Sequence, residues 1–171
     1  NLKPGPRFYA AKEKIVEKIT GSNEPGHGDI AILNELGIQA SGLGIQDFAA
    51  GVENLQDAIE ADGASTARFP HLAVNINFLN EKDFQIGRNG DFVDELHGKV
   101  AGYSVASVNN QLIGLIGIVD PYLQKLVDIG NLVVQPRIPA DTEKLAKIVQ
   151  GAVNKLELQG IDKIVLLARI Q

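Results

Sequence analysis

The chain contains no cysteine. Disulfides, thiol nucleophiles and cysteine-ligated zinc are therefore excluded, and the redox compartment is left open. Tryptophan is absent as well, and aromatic residues make up only 5% of the 171 positions. Leu, Ile, Val and Ala must build the core. Neither charge sign forms a long block: 16 basic and 21 acidic residues leave a net charge of −5. The basic stripe of a nucleic-acid surface is missing, so no nucleic-acid partner is expected. No apolar run approaches the roughly 18 residues of a membrane-crossing helix. The longest, from Leu112 to Val119, has the length of a strand. No signal-peptide pattern is seen. The first residue, Asn1, is not Met, which leads us to expect a processed, trimmed or excised chain.

What is present is a globular composition, 44% hydrophobic, with periodic segments separated by loops. Phe8, Ala11, Ile15, Val16 and Ile19 predict a helix over 8 to 19. A short helix is expected near 29 to 36, closed by Gly37, and another over 51 to 61 with Val52, Leu55 and Ile59 on one face. "IQASGLG" reads as a short buried strand. In "HLAVNINF", Leu72, Val74, Ile76 and Phe78 alternate as in a single strand. Residues 80 to 98 form a polar excursion. "KVAGYSVASVNNQLIGLIGIVD" reads as a hairpin turning at Asn109 and Asn110. After a short strand, "LVVQP", comes the clearest helix, 141 to 158. Its stripe is Leu145, Ile148, Val149, Ala152, Val153 and Leu156, with Asp141 or Thr142 as cap and Gly160 as stop. "KIVLLARI" reads as a fully buried strand. The stripe should pack on a sheet holding 163 to 168 and 112 to 118. If strand 132 to 135 is parallel to the last strand, the intervening helix makes a right-handed crossover. The whole is a single layered α/β domain over 1 to 171, a mixed sheet with helices outside.

The order of these pieces resembles the metallophosphoesterases of the 5′-nucleotidase type, and more narrowly the alkaline-phosphatase-like members of cyanobacteria and other bacteria. "GDIAILNELGIQASGLG", "FPHLAVNINF", "KVAGYSVASVNNQLIGLIGIV" and "GIDKIVLLARIQ" carry the resemblance over nearly the whole chain. It implies an αββα fold, two divalent metals, phosphoric ester hydrolysis and a place outside the cytoplasm: extracellular, periplasmic or cell-surface. In the family, the loop after the first of these pieces reads Gly-Asn-His-Glu-Phe-Asp. The Asn binds a metal, the His protonates the leaving group, and the Asp orients the His. Here the stretch is Gly44, Ile45, Gln46, Asp47, Phe48, Ala49. Ile45 has no lone pair, Gln46 is no acid near neutral pH, and Ala49 orients nothing. A later family strand ends in Leu-Ser-His, whose His is a ligand; here Arg169 stands there, always charged and without an acceptor. The upstream Asp-x-His and Gly-Asp-Asn motifs and the C-terminal Gly-His-x-His segment fall outside the chain, so the domain is expected to be incomplete at both ends.

Four site positions changed in incompatible directions imply a domain without catalysis or bound metal, kept as a structural or interaction module. Its partner would be another protein, a larger parent chain or a second copy. A fragment or divergent copy of an active phosphohydrolase, and an anion-binding module using Arg169, remain as alternatives. Asp47 is expected to serve helix amides near 50 to 52, or to pair with Arg169; Arg169 could instead take an anion or lie at the surface. His27 with Asp29 suggests a metal pair only weakly. His71 and His97 are isolated surface or packing residues. "GRNG" at 87 to 90 is a turn.

Overall fold

The computed structural model describes residues 26–60, 66–81 and 84–170; the helix expected over 8 to 19 lies outside them. Helix α1 spans His27–Glu35 and begins earlier than the sequence pattern suggested, because Gly26 adopts φ 89 and starts the turn there. Strand β1 is Ser41–Gly42, followed by a 3₁₀ turn at Ile45–Phe48 and by α2, Val52–Glu60. β2 is His71–Leu72, β3 Ile76–Asn77, β4 Val100–Ala101, β5 Tyr103–Val108 and β6 Gln111–Val119. α3 is the single turn Leu123–Leu126, β7 is Val133–Val134, α4 is Thr142–Glu157 and β8 is Lys163–Arg169.

Among the described residues the strands form three sheets. β1, β2 and β4 are parallel neighbours in that order. β5, β6 and β8 form a mixed sheet, with β6 antiparallel to β5 and parallel to β8. These two sheets lie face to face. Leu72 and Ala101 from one meet Leu115 and Leu167 from the other in an apolar cluster. Gly117 marks a close approach of the two sheets: a Cβ there would fall 2.0 Å from the Leu72 carbonyl oxygen. Outside the parallel sheet, Ile30 of α1 and Ala58 of α2 pack with Ala67 and Phe69. Outside the mixed sheet, α4 lays Ala152 and Leu156 over Tyr103, Val105 and Ile116. The layering is αββα, a mixed α/β fold.

The hairpin turn places Asn109 at φ 50 and Asn110 at φ 62. That left-handed pair is what a tight hairpin needs, and asparagine tolerates it better than most residues. In α4, the Asp141 carboxylate accepts the Lys144 backbone N–H at 2.9 Å and caps the helix. Leu145, Ala152 and Leu156 are buried, while Ile148, Val149 and Val153 are less so. Leu156 sits on Gly114 of β6, where a Cβ would lie 2.6 Å from its Cδ1. Burying one such leucine contributes about 1.5–3 kcal/mol.

Three sequence expectations need correction. The alternation from Leu72 to Phe78 is not one strand. The Val74 N–H leaves its own sheet to donate to Gly117 O at 2.8 Å, and the chain turns at Asn75. β3 then joins β7 in a separate antiparallel pair. Strand 132 to 135 is therefore not in the sheet of β8, and the parallel strand beside β8 is β6. Finally, β8 is not fully buried. Among the described residues it is the outermost strand of its sheet, with Val165 44% and Leu166 45% exposed, and Ile170 just past its end 51% exposed.

Candidate functional site

The loop after β1 and the end of β8 meet at one edge of the stacked sheets. The loop is a closed local unit. The Gly44 N–H donates to Asp47 Oδ2 at 2.7 Å, and the Asp47 N–H returns to Gly44 O at 3.0 Å. Phe48, 1% exposed, anchors the unit in the main core. Asp47 therefore serves the start of its own 3₁₀ turn, and no described contact takes it to the amides at 50 to 52. From the other sheet, Arg169 is held at the strand end opposite Val119. Its Nη1 donates to Asp47 Oδ2 at 3.1 Å, an ion pair whose side chains are 41% and 28% exposed. Burial pushes the Asp47 carboxyl above its usual range, against the opposing pull of the Arg169 charge and the Gly44 N–H.

The other loop positions face different surroundings. Ile45 packs against the main apolar cluster. Gln46 and Ala49 are exposed. An aliphatic chain turned toward the core offers nothing to a cation, and a guanidinium bonded to the Asp47 carboxylate repels one. These residues do not fit a dication. Among the described residues, no group of three or more His, Asp or Glu is placed to hold a metal.

Beside the loop lies a cleft of about 260 Å³, whose wall includes Asp29, Ser41, Gln46, Asp47, Asn54 and His71. His71 is buried, and its ring rests 5.1 Å from that of Phe69. Burial lowers its pKa to about 4, so it is neutral at pH 7. His27 is also buried, with neither ring nitrogen hydrogen-bonded among the described residues. His97 is exposed and 3.9 Å from Asp94. The histidines are not brought together. At "GRNG", Arg88 Nε lies 3.2 Å from Asp91, and Gly90 takes φ 90, as a turn requires.

Sequence reasoning missed Asn75. Its buried carboxamide donates to Val119 O at 3.0 Å and Gln135 O at 2.9 Å, and accepts from the Val119 N–H at 2.9 Å. One side chain thus ties the end of β6 to the chain after β7. The alternation from Leu72 to Phe78 hid it, because that pattern puts Asn75 on the polar side of the expected strand. Asp120 was missed too. It is buried just past the register partner of Arg169, where it accepts the Tyr122 N–H at 2.8 Å.

The fold is that of a metallophosphoesterase domain. Over 95% of its length the chain matches the 5′-nucleotidase precursor of Thermus thermophilus, with TM-score 0.67, 22% identity and 25% of that chain covered. It also matches the calcineurin-like phosphoesterase YfkN of Bacillus subtilis, with TM-score 0.51, 21% identity, 94% of this chain and 43% of that one. In sequence it is 27% identical over 136 residues to the 5′-nucleotidase of Bos taurus, covering 79% of this chain and 20% of that protein. No family model matches. In sequence and in fold the chain is similar to the 5′-nucleotidase-like metallophosphoesterases, and it spans about a fifth of the length of that bovine relative.

Proposed function

We propose that this chain is a phosphoesterase-like domain without catalytic chemistry of its own, serving as a structural or interaction module. The observation that supports this reading is the Asp47–Arg169 contact at 3.1 Å. By family resemblance, it lies where the general-acid loop and a ligand-bearing strand end come together. A permanent cation there takes up the carboxylate, and the neighbouring Ile45 and Gln46 supply neither a ligand nor an acid. On this reading no divalent metal is bound. The resemblance points to a place outside the cytoplasm, and the partner is a protein or the remainder of a longer polypeptide.

The test joins metal analysis to an assay. Purified protein should carry no stoichiometric transition metal. It should not hydrolyse p-nitrophenyl phosphate, phosphodiesters or nucleotides above background, with or without Mn²⁺, Zn²⁺ or Ca²⁺. About two bound equivalents, together with turnover that survives re-purification, would overturn the reading.

One observation favours a second reading, a fragment of an active phosphohydrolase: the match takes in only 20% of the bovine protein and 25% of the Thermus chain. Turnover in a longer polypeptide that disappears on Arg169→Ala or Asp47→Ala would select it. An anion site on the exposed part of the Arg169 guanidinium is a third reading. Phosphate protection of the wild type but not of Arg169→Ala against unfolding would support it.

A further inference from the structure

We propose that the cleft between α1 and α2 is a binding site for a small, uncharged ring compound bearing a hydroxyl group, which hydrogen-bonds to His71. The cleft has a polar floor and apolar sides. Ser41 of β1 and His71 of β2 are register partners in the parallel sheet, so their side chains stand next to each other on one face of it, and both line the cleft. Ile30 and Leu33 of α1 and Leu55 and Ala58 of α2 form its sides. Apolar walls around a few convergent polar groups are the usual form of a small-molecule site.

The imidazole of His71 is the anchor. It is 6% exposed, and Phe69 holds the ring, with centroids 5.1 Å apart. The backbone N–H of His71 is committed to Lys99 O at 3.0 Å, so the sheet fixes where the side chain starts. Nδ1 is sealed from solvent without a hydrogen-bond partner. What the ring can offer a ligand is therefore Nε2, to which no described residue is bonded. Buried polar side chains normally have a partner, and a site with a fixed, unpaired polar atom selects a ligand that supplies one. A hydroxyl both donates and accepts, so it satisfies Nε2 in either neutral tautomer.

Charge and size narrow the ligand further. The charged residues of the described wall, Asp29 and Asp47, are both acidic, so an anion such as phosphate is repelled. A cation would find Asp47 already bonded to Arg169 and a floor without charge, because burial keeps His71 neutral at pH 7. At about 260 Å³ the cleft exceeds the volume of about 150 Å³ that admits benzene and falls below the roughly 300–1,000 Å³ of sites for drug-sized ligands. One substituted ring matches that volume. The inference does not rest on the loss of metals or of catalysis.

Fluorine NMR with the natural polypeptide that carries this segment tests the site. The probe is 4-fluorophenol, uncharged at pH 7, and fluorobenzene is its match without the hydroxyl. The 4-fluorophenol signal should broaden and saturate at millimolar concentration or below, and fluorobenzene should bind about tenfold more weakly, the share of one hydrogen bond. His71→Phe should bring 4-fluorophenol down to the level of fluorobenzene and leave fluorobenzene within about twofold of its wild-type affinity. In wild-type protein with isotope-labelled histidine, the His71 Nε2 signal should shift with 4-fluorophenol and not with fluorobenzene, while that of the exposed His97 stays in place. Equal affinity for the two probes overturns the proposal. So does saturable binding that leaves the His71 signal unmoved, or no saturation by about 10 mM. None of these readouts involves metal or turnover, so this proposal and the non-catalytic reading fail separately.

Discussion

The guanidinium of Arg169 lies across the bare Cα of Gly44, so close that a Cβ there would stand 2.7 Å from Nε. Gly44 has an extended backbone, φ −157 and ψ 179, which any residue adopts. What matters at this position is space. The loop can accept a long cation from the facing sheet only because position 44 has no side chain. Gly44→Ala should push Arg169 off Asp47 and cost no more stability than Arg169→Ala itself. Because both partners keep contact with water, a double-mutant cycle on Asp47 and Arg169 should give a coupling of about 0–1 kcal/mol in urea unfolding. A coupling several times larger would show that the pair acts as a buried one.

His71 should impose a pH dependence on stability. Burial depresses its pKa from 6.5 to about 4. Between those values the unfolded chain binds a proton that the folded chain refuses. Stability from this group is therefore complete above pH 6.5 and is lost as pH falls towards 4, by about 3 kcal/mol at most. His71→Phe should remove that part of the slope. Denaturant midpoints at pH 7, 5.5 and 4 will show it, and parallel slopes for both proteins would exclude the assignment.

Two glycines should respond in opposite ways to alanine. At Gly117 the new methyl would overlap the Leu72 backbone, which cannot swing aside as a side chain can. Gly117→Ala should abolish the cooperative unfolding transition or lower its midpoint drastically. Gly151 lies within α4, and a methyl added there would meet nothing within 4 Å. Gly151→Ala should stabilise by about 0.5–1 kcal/mol, through the helix propensity of alanine. Thermal melts of the two variants beside the wild type decide both.

Asn75→Ala should be the most damaging polar deletion among the described residues. It removes three side-chain hydrogen bonds from a residue 2% exposed and strands the Val119 and Gln135 backbone groups. A cost of about 2–4 kcal/mol follows from the penalty for leaving buried polar groups unpaired. Asn75→Asp should cost at least as much, because a carboxylate cannot donate to the two carbonyls. A loss below about 0.5 kcal/mol would mean that water replaces the carboxamide.

The sequence showed the helices best where an apolar stripe coincided with a cap, as at Asp141 with Leu145 and Leu156. The asparagine pair at the hairpin was equally legible, because its turn chemistry is local. Strand extent was not. Leu72, Val74, Ile76 and Phe78 alternate as in a strand, but the break at Val74 depends on a carbonyl from Gly117, remote in sequence. The apolar run of β8 indicated burial, yet burial depends on neighbours that the run itself does not specify. At the site, the residue types were readable one by one. Their meeting was not, because Asp47 and Arg169 are 122 positions apart and belong to different layers. The role of Gly44 as a berth for Arg169 needed the packed structure.

Gly102 has a mechanical consequence. It alone separates β4 from β5, so one nearly continuous length of backbone belongs first to the parallel sheet and then to the mixed one. Its N–H is held by Asn89 Oδ1 at 2.6 Å. With Gly117 pressed on Leu72 a short distance away, the two layers are stitched and interlocked at one place. Sliding one layer past the other would have to open this stitch, so a load applied to the edge of β8 would reach the loop that carries Asp47 through the Arg169 contact.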